Sequence, residues 1–451
     1  MRKAILSLVL AGGVVAIQAQ GPLTLEECRR LAREQSAEVT TARLEQESAG
    51  ETRKAAFAKY FPQVSATAAA MAARDPLVSA KTPQTNLPVY DGNPANLANA
   101  TTAAYVPSLD LEAGQSANVV QLSIQQPLFV GGRVVHGNRL AKLGEEVATS
   151  RRRLAERDAV AQAEEKYWTL LSLQEKRRTL DAYDSLLASL QREVGAAVKN
   201  GLTSRNDELK VSLERGHLRV QRLELESGAR LAARDLRRHL GLPEDTVLAL
   251  ADSLPTPSDP EALSAGRSGA LERRLETGLL AQGVRAEQLQ ADMELGAMLP
   301  SVVVGAAAMR ADIEGVDPVT NLVGYAMVSV PVSDLWSGTH DTRARRLKVR
   351  VATLNEAETR RKMAMGIDKD WDDLVRAWQA SLVAEDAVAQ AEVNLSEASD
   401  LRRNGLSPLS DLLEAQALRQ KSVDQRIDAR KSYGLARSSY LRSIAREESA
   451  P

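Results

Sequence analysis

The chain repeats its own layout, and that repeat restricts what it can fold into more than any other feature. In the first half, Tyr60-Phe61-Pro62 opens a short alternating segment and Gln126-Pro127 closes a second one. Gly131-Gly132-Arg133 follows, then a long helical stretch to Asn200-Gly201-Leu202-Thr203. In the second half, Leu299-Pro300 opens a segment, Val330-Pro331 closes the next, and Ser337-Gly338 follows. Another helical stretch then runs to Asn404-Gly405-Leu406-Ser407. Pro127 to Gly201 spans 74 residues, and so does Pro331 to Gly405. A duplication on this scale makes the 451 residues one body of two halves, 22–242 and 261–446. Proline- and Asp/Ser-containing residues 243–260 read as the linker between them.

Each half offers two period-two segments, about 62–73 and 117–127, then 300–311 and 321–331. Val64, Ala66 and Ala68 alternate with Ser65 and Thr67, and Val120, Leu122 and Ile124 alternate with Gln121, Ser123 and Gln125. Between the first two lies a loop, 74–116, rich in Pro, Asn, Ala, Ser and Thr and without periodicity. The stretches between the strands and the Asn-Gly breaks are helical. Val160, Ala163, Tyr167 and Leu170 step as a coiled-coil seam, and Leu209, Leu213, Val220 and Leu223 keep heptad register in the next helix. A continuous helix from about 134 to 200 reaches roughly 100 Å at ~1.5 Å per residue. Thr24 reads as an N-cap, with Glu27 as its capping-box partner.

Aromatics make up only 3% of the chain, as expected of long packed helices. Lys and Arg number 58 against 59 Asp and Glu, which gives no electrostatic reason to expect nucleic acid as a partner. Residues 1–19 read as a signal peptide: Arg2 and Lys3, an apolar run to Ile17, then small residues. A retained anchor is the alternative, but the run is short of the ~20 residues that span a bilayer. Cys28 is the only cysteine and reads as a buried thiol.

Strands of about ten residues suit a tilted crossing of a bilayer. Four strands cannot close a barrel, and open edges are not tolerated in lipid, so closure needs further copies. Three copies would supply twelve strands. The expected fold is therefore an α+β membrane protein: four strands per chain in a trimeric 12-stranded β-barrel, continued by a long α-helical coiled-coil barrel. Tyr60, Phe61, Phe129 and Trp336 sit at the helix-side ends of the strands. Such side chains either form an interfacial girdle or plug the strand–helix junction, and the two roles are compatible.

Several pieces resemble the TolC-like outer membrane efflux protein family. They are Leu23-Thr24-Leu25-Glu26-Glu27, Tyr60-Phe61-Pro62, Gln126-Pro127-Leu128-Phe129-Val130-Gly131-Gly132-Arg133, and the paired Gly-Leu-Thr/Ser turns at 201 and 405. The resemblance covers about 22–446; Val330 to Gly338 departs from it by a small insertion. It implies a homotrimer in the outer membrane of a Gram-negative bacterium, with a large periplasmic portion. Its role would be the exit duct of a tripartite pump, working with a periplasmic adaptor and an inner membrane transporter and in contact with outer membrane lipid. Loop 74–116 would face outward.

By the same resemblance, the tips Gly201, Leu202, Thr203, Ser204 and Gly405, Leu406, Ser407 would touch the adaptor. Asp411 and Glu414 would line an entrance constriction. An acid in a first turn also favours the helix dipole, which is an alternative reason for Asp411. Asn206, Asp207, Arg402 and Ser407 occupy the positions of the closing contacts. Arg402 replaces the usual tyrosine, which makes an Asp207 partner, and Ser407 replaces the usual arginine, which weakens that link.

Histidines 136, 217, 239 and 340 lack metal-ligand spacing, and neither a phosphate loop nor a nucleophile elbow is found. No enzyme activity, catalytic residue, cofactor or metal is expected. A type I protein secretion duct and a periplasmic coiled-coil scaffold are the competing readings; paired alternating strands argue against the scaffold.

Overall fold

The computed structural model describes residues 22–446 except 77, 90–102 and 114. The expected signal peptide and the middle of the 74–116 loop lie outside the described residues. In chain order the elements are helices α1 (Leu25–Gln35) and α2 (Ala37–Ala58), strands β1 (Gln63–Ala72), β2 (Val78–Lys81), β3 (Thr85–Pro88), β4 (Ala103–Val106), β5 (Asp110–Ala113) and β6 (Ser116–Val130), helices α3 (Arg133–Lys199), α4 (Arg205–His239), α5 (Arg267–Arg273) and α6 (Leu275–Ala297), strands β7 (Ser301–Ile313) and β8 (Val319–Ser329), and helices α7 (Asp334–Arg403) and α8 (Leu409–Ser443). The chain divides into two compact units.

One unit takes in 50–144 and 285–351. Its sheet has the order β1-β6-β7-β8, every neighbouring pair antiparallel. Register keeps like residues on one face. Val64, Ala66 and Ala68 stand opposite Ile124, Leu122 and Val120, and Ile124 and Leu122 oppose Ala306 and Ala308. Ser65 and Ser123 pair on the other face, their hydroxyls 2.8 Å apart. The apolar face is bare: Val64, Val120, Leu122, Leu322 and Val328 are all exposed. β1 and β8 are the edge strands, and the outer edge of each is unpaired among the described residues.

Two features depart from the sequence reading. The 74–116 segment is not featureless, because β2 pairs with β5 and β3 with β4 in short two-stranded ladders. Pro127 lies inside β6 rather than at its end, at a register shift between Pro127 and Phe129. A bulge tolerates the missing N–H and lets the strand run on to Val130.

The other unit comprises the described parts of 1–49, 145–284 and 352–451. Its first core gathers Cys28, Leu31, Ala163, Tyr167, Leu170, Leu236, Leu240 and Leu254. Its second gathers Ile367, Leu374, Tyr433, Tyr440 and Ile444, with Trp371 packed against it. The repeat is visible here: Tyr167 lies 40 residues past Pro127, and Trp371 lies 40 past Pro331. Burial pushes the Cys28 thiol up to about 12, so it stays protonated and inert.

Residues 243–260 are pinned rather than slack. Leu23 N–H donates to the Ala249 carbonyl at 2.6 Å, and Ala251 N–H donates to the Leu23 carbonyl at 3.1 Å. Asp252 accepts the Leu25 N–H at 2.7 Å and the Tyr167 hydroxyl at 2.6 Å, so the segment between the repeats caps the first helix. Thr24 Oγ1 accepts the Glu27 N–H at 3.2 Å, while the Glu27 carboxylate takes Arg30 instead of closing the capping box. Ser36, whose backbone is extended, separates α1 from α2.

Candidate entrance tips and membrane rim

The two helical hairpins end alike. Gly201 and Gly405 adopt φ of 71° and 70°, where any side chain would be strained. At the first tip, Gly201 N–H donates to Val198 O (3.0 Å) and Leu202 N–H to Ala197 O (2.8 Å). At the second, Gly405 N–H donates to Arg402 O (3.0 Å) and Leu406 N–H to Leu401 O (2.8 Å). This is the Schellman arrangement, which satisfies the last carbonyls of a helix and usually folds the following apolar residue back onto it. α4 ends the same way at Gly241, and there Leu242 does pack into the core. At the tips Leu202 is 79% exposed and Leu406 is 74% exposed.

Behind the turns the tips are firmly packed. Leu409 is fully buried against Val194 and Val211, joined by Val198, Leu412 and Leu413. This places the start of α8 against the first hairpin and turns the opposite face of α8 outward. Asp411 and Glu414, three residues apart on that face, are exposed. A local contact reaches the Asp411 carboxylate, from Ser410 Oγ at 3.3 Å.

The expected closing contacts fall differently within one chain. The Asp207 carboxylate accepts Thr203 Oγ1 at 2.6 Å, its N–H donates to Ser204 Oγ at 3.3 Å, and Lys210 lies 3.7 Å away. Within the chain Asp207 is thus engaged by its own turn, and no ion pair to Arg402 is found among the described residues. Asn206 is exposed beside it. Ser407 does not cap α8: the N-cap is Pro408, and the buried Ser407 hydroxyl has no hydrogen-bond partner among the described residues.

The unit that holds the sheet carries the aromatics. Tyr60, Phe61, Phe129 and Trp336 are all exposed, Trp336 by 72%. Phe57, one turn upstream, escaped the sequence reading because it lies inside α2. Its ring meets Tyr60 and Phe61 edge-on at 5.8 and 5.5 Å, so three aromatics form one exposed cluster. Below them Gly131 (φ 64°) and Gly296 touch backbone to backbone. A Cβ on Gly131 would stand 1.8 Å from the Gly296 carbonyl oxygen. That contact locks the β6–α3 turn of one repeat to the last turn of α6 in the other.

Among the described residues, no group of three or more His, Cys, Asp or Glu is placed to hold a metal, and no helix is long and apolar enough to cross a membrane. An open groove of about 1230 Å³ runs along α3 and α4, lined in part by Lys166, Asp235, Leu173 and Leu231.

No protein-family model matches the chain. No curated protein matches it either. Solved structures do. The outer-membrane channel OprN superposes with a TM-score of 0.74 at 13% identity, covering 94% of this chain and 90% of that one. The Campylobacter jejuni CmeC outer membrane channel gives 0.72 at 14%, covering 95% and 87%. The Vibrio cholerae outer membrane protein VceC gives 0.70 at 15%, covering 94% and 97%.

Proposed function

The chain has the fold of outer-membrane channel proteins over nearly its full described length, and from that premise we propose that it is one subunit of a TolC-like exit duct. Three copies would close the sheet edges β1 and β8 into a twelve-stranded barrel in the outer membrane of a Gram-negative cell. Their helices would form a periplasmic conduit. The duct passes substrates delivered by an inner membrane transporter through a periplasmic adaptor, and it performs no chemistry of its own.

One observation carries this reading. A four-stranded sheet with one bare apolar face and two unpaired edges is joined to helices of 67 and 70 residues. Open edges and an apolar face are unstable in water but natural in a closed barrel surrounded by lipid. A soluble scaffold has no use for such a sheet. The exposed leucines at the tips supply an apolar contact for the adaptor. Asp411 and Glu414, repeated by three copies, supply acidic rings at the entrance.

The test is single-channel conductance of the purified protein in planar bilayers, with Asp411→Ala plus Glu414→Ala as the comparison. Small cation-selective currents whose selectivity drops in the variant are expected. A soluble protein that forms no channels would reject the duct.

A further inference from the structure

The short helical part that adjoins the sheet is charged unlike the rest of the chain. Residues 50–59, 133–144, 285–297 and 334–351 hold twelve Lys and Arg against six Asp and Glu, in a chain whose net charge is −1. These are the segments of α2, α3, α6 and α7 nearest the strands, and all belong to one unit. The acids present are partly engaged: Asp292 lies 3.7 Å from His136, and Glu294 lies 3.7 Å from Arg345. Lys59, Arg139, Lys142, Arg343, Arg346, Lys348 and Arg350 are exposed and have no ion pair among the described residues.

The cations do not stand alone. Along α7 the exposed stripe interleaves Trp336, Arg343, Leu347, Arg350 and Val351, an apolar and cationic mixture on one helix face. Between α6 and α7 lies a groove of about 230 Å³, where Ala291, Leu295 and Val349 meet Arg346 and Asp292. Arg343 follows Trp336 by seven residues, ~10 Å along the helix. A headgroup layer is roughly 5–8 Å deep on each side of the hydrocarbon, and a long Arg side chain covers the remaining distance.

We propose that this basic collar is a docking surface for anionic phospholipid headgroups in the leaflet facing the helices. The proposal rests on the membrane-duct reading above. Charge complementarity selects the occupant: unpaired cations, an exposed Trp and exposed apolar side chains, on helix segments that adjoin the strands in sequence, match a phosphate layer over acyl chains. The collar would fix the depth of the barrel, since sliding the sheet in either direction carries these cations into hydrocarbon or away from phosphate.

The experiment uses the full protein in mixed micelles, titrated separately with phosphatidylglycerol and phosphatidylcholine, with bound lipid counted by native mass spectrometry. The variant is Lys59→Gln, Arg139→Gln, Arg343→Gln, Arg346→Gln; the control is Arg177→Gln, Arg178→Gln, two exposed cations of the other unit. A basic residue near an anionic surface favours binding about fivefold, so after screening the wild type should prefer phosphatidylglycerol by about tenfold or more. The variant should lose that preference, the control should keep it, and inorganic phosphate at equal concentration should not displace the lipid. Equal uptake of both lipids by the wild type, or an unchanged preference in the variant, overturns the proposal. Displacement by inorganic phosphate overturns the commitment to lipid. Loss of oligomeric state in the variant, with a wild type indifferent to headgroup, would place these cations between copies and also overturn it. Channel formation in planar bilayers separates the two readings: a protein that forms channels without the preference refutes the collar alone, and one that forms none refutes both.

Discussion

Removing Glu164 should destabilise the helical unit severely, and removing it together with Arg29 should not. Arg29 Nε meets Glu164 Oε1 at 2.6 Å, and the two side chains are only 9% and 7% exposed. The pair joins α1 to α3 inside the first core. Truncating one member of a buried pair typically costs ~3–5 kcal/mol, because the survivor keeps its desolvation penalty without the attraction that offset it. Glu26 also reaches Arg29, at 3.4 Å from an exposed position, so Glu164→Ala belongs near ~3 kcal/mol. With a guanidinium slope of ~4 kcal/mol per molar, the midpoint should fall by ~0.7 M. Arg29→Leu with Glu164→Leu replaces both charges by apolar groups and should return within ~1 kcal/mol of the parent. Unfolding followed by tryptophan emission reads this directly, since Trp168 lies in the same core. A single variant with the parent's midpoint, or a double variant as weak as the single, would refute the reasoning.

Gly131→Ala should prevent assembly of the strand–helix junction, because the new methyl would collide with a backbone oxygen at 1.8 Å in a left-handed turn; an outer membrane fraction containing normal amounts of the variant would contradict this. Leu202→Ser with Leu406→Ser should leave the melting temperature within a degree or two yet reduce export in cells by at least tenfold, since burying an exposed Leu against a partner is worth ~1.5–3 kcal/mol; unaltered export would remove the tips from the docking surface. Asp424 is held above the usual carboxylate range, first by burial, against the Gln420 hydrogen bond and the Lys176 charge that oppose it. An acid with a raised folded pKa costs stability above that pKa, and the cost fades as pH falls toward its unfolded value. Asp424→Asn should therefore stabilise at pH 7 and lose its advantage below about pH 4; equal denaturation midpoints at neutral pH would show that the burial carries no penalty.

Much of the fold is written locally. The four strands of the main sheet show in the sequence because each runs over ten or more residues and has one face to expose. The hairpin tips show because only glycine suits their left-handed turns. Other features depend on contacts distant in sequence. The β2–β5 ladders inside the 74–116 segment are four residues each, too short for a period to register. Segment 243–260 reads as slack linker because Asp252 gains its meaning only from Leu25 and Tyr167, 227 and 85 residues away. The Gly131–Gly296 contact leaves no pattern at all, since glycine within α6 looks like any weak helix position. At Asp207 the contacts are local, to Thr203 and Ser204 of its own turn.

The α4 heptad is the more instructive difference. Leu209, Leu213, Val220 and Leu223 keep a coiled-coil register, yet all four are exposed, and the residues that α4 does bury against its own chain are Val211, Leu218 and Leu236. One helix therefore carries two apolar stripes, of which the chain fills one. The same surplus appears in the sheet, where β1 and β8 each keep an unpaired edge. Hydrophobic surface on this scale is not left bare by a monomer. A packing partner for the second stripe and a hydrogen-bonding partner for the strand edges are separate physical needs, in separate units of the chain. Further copies of the same chain around one axis meet both at once, and an adaptor bound at the tips meets neither. That joint demand, more than any single motif, is the reason a closed homotrimeric duct is the reading proposed for this molecule.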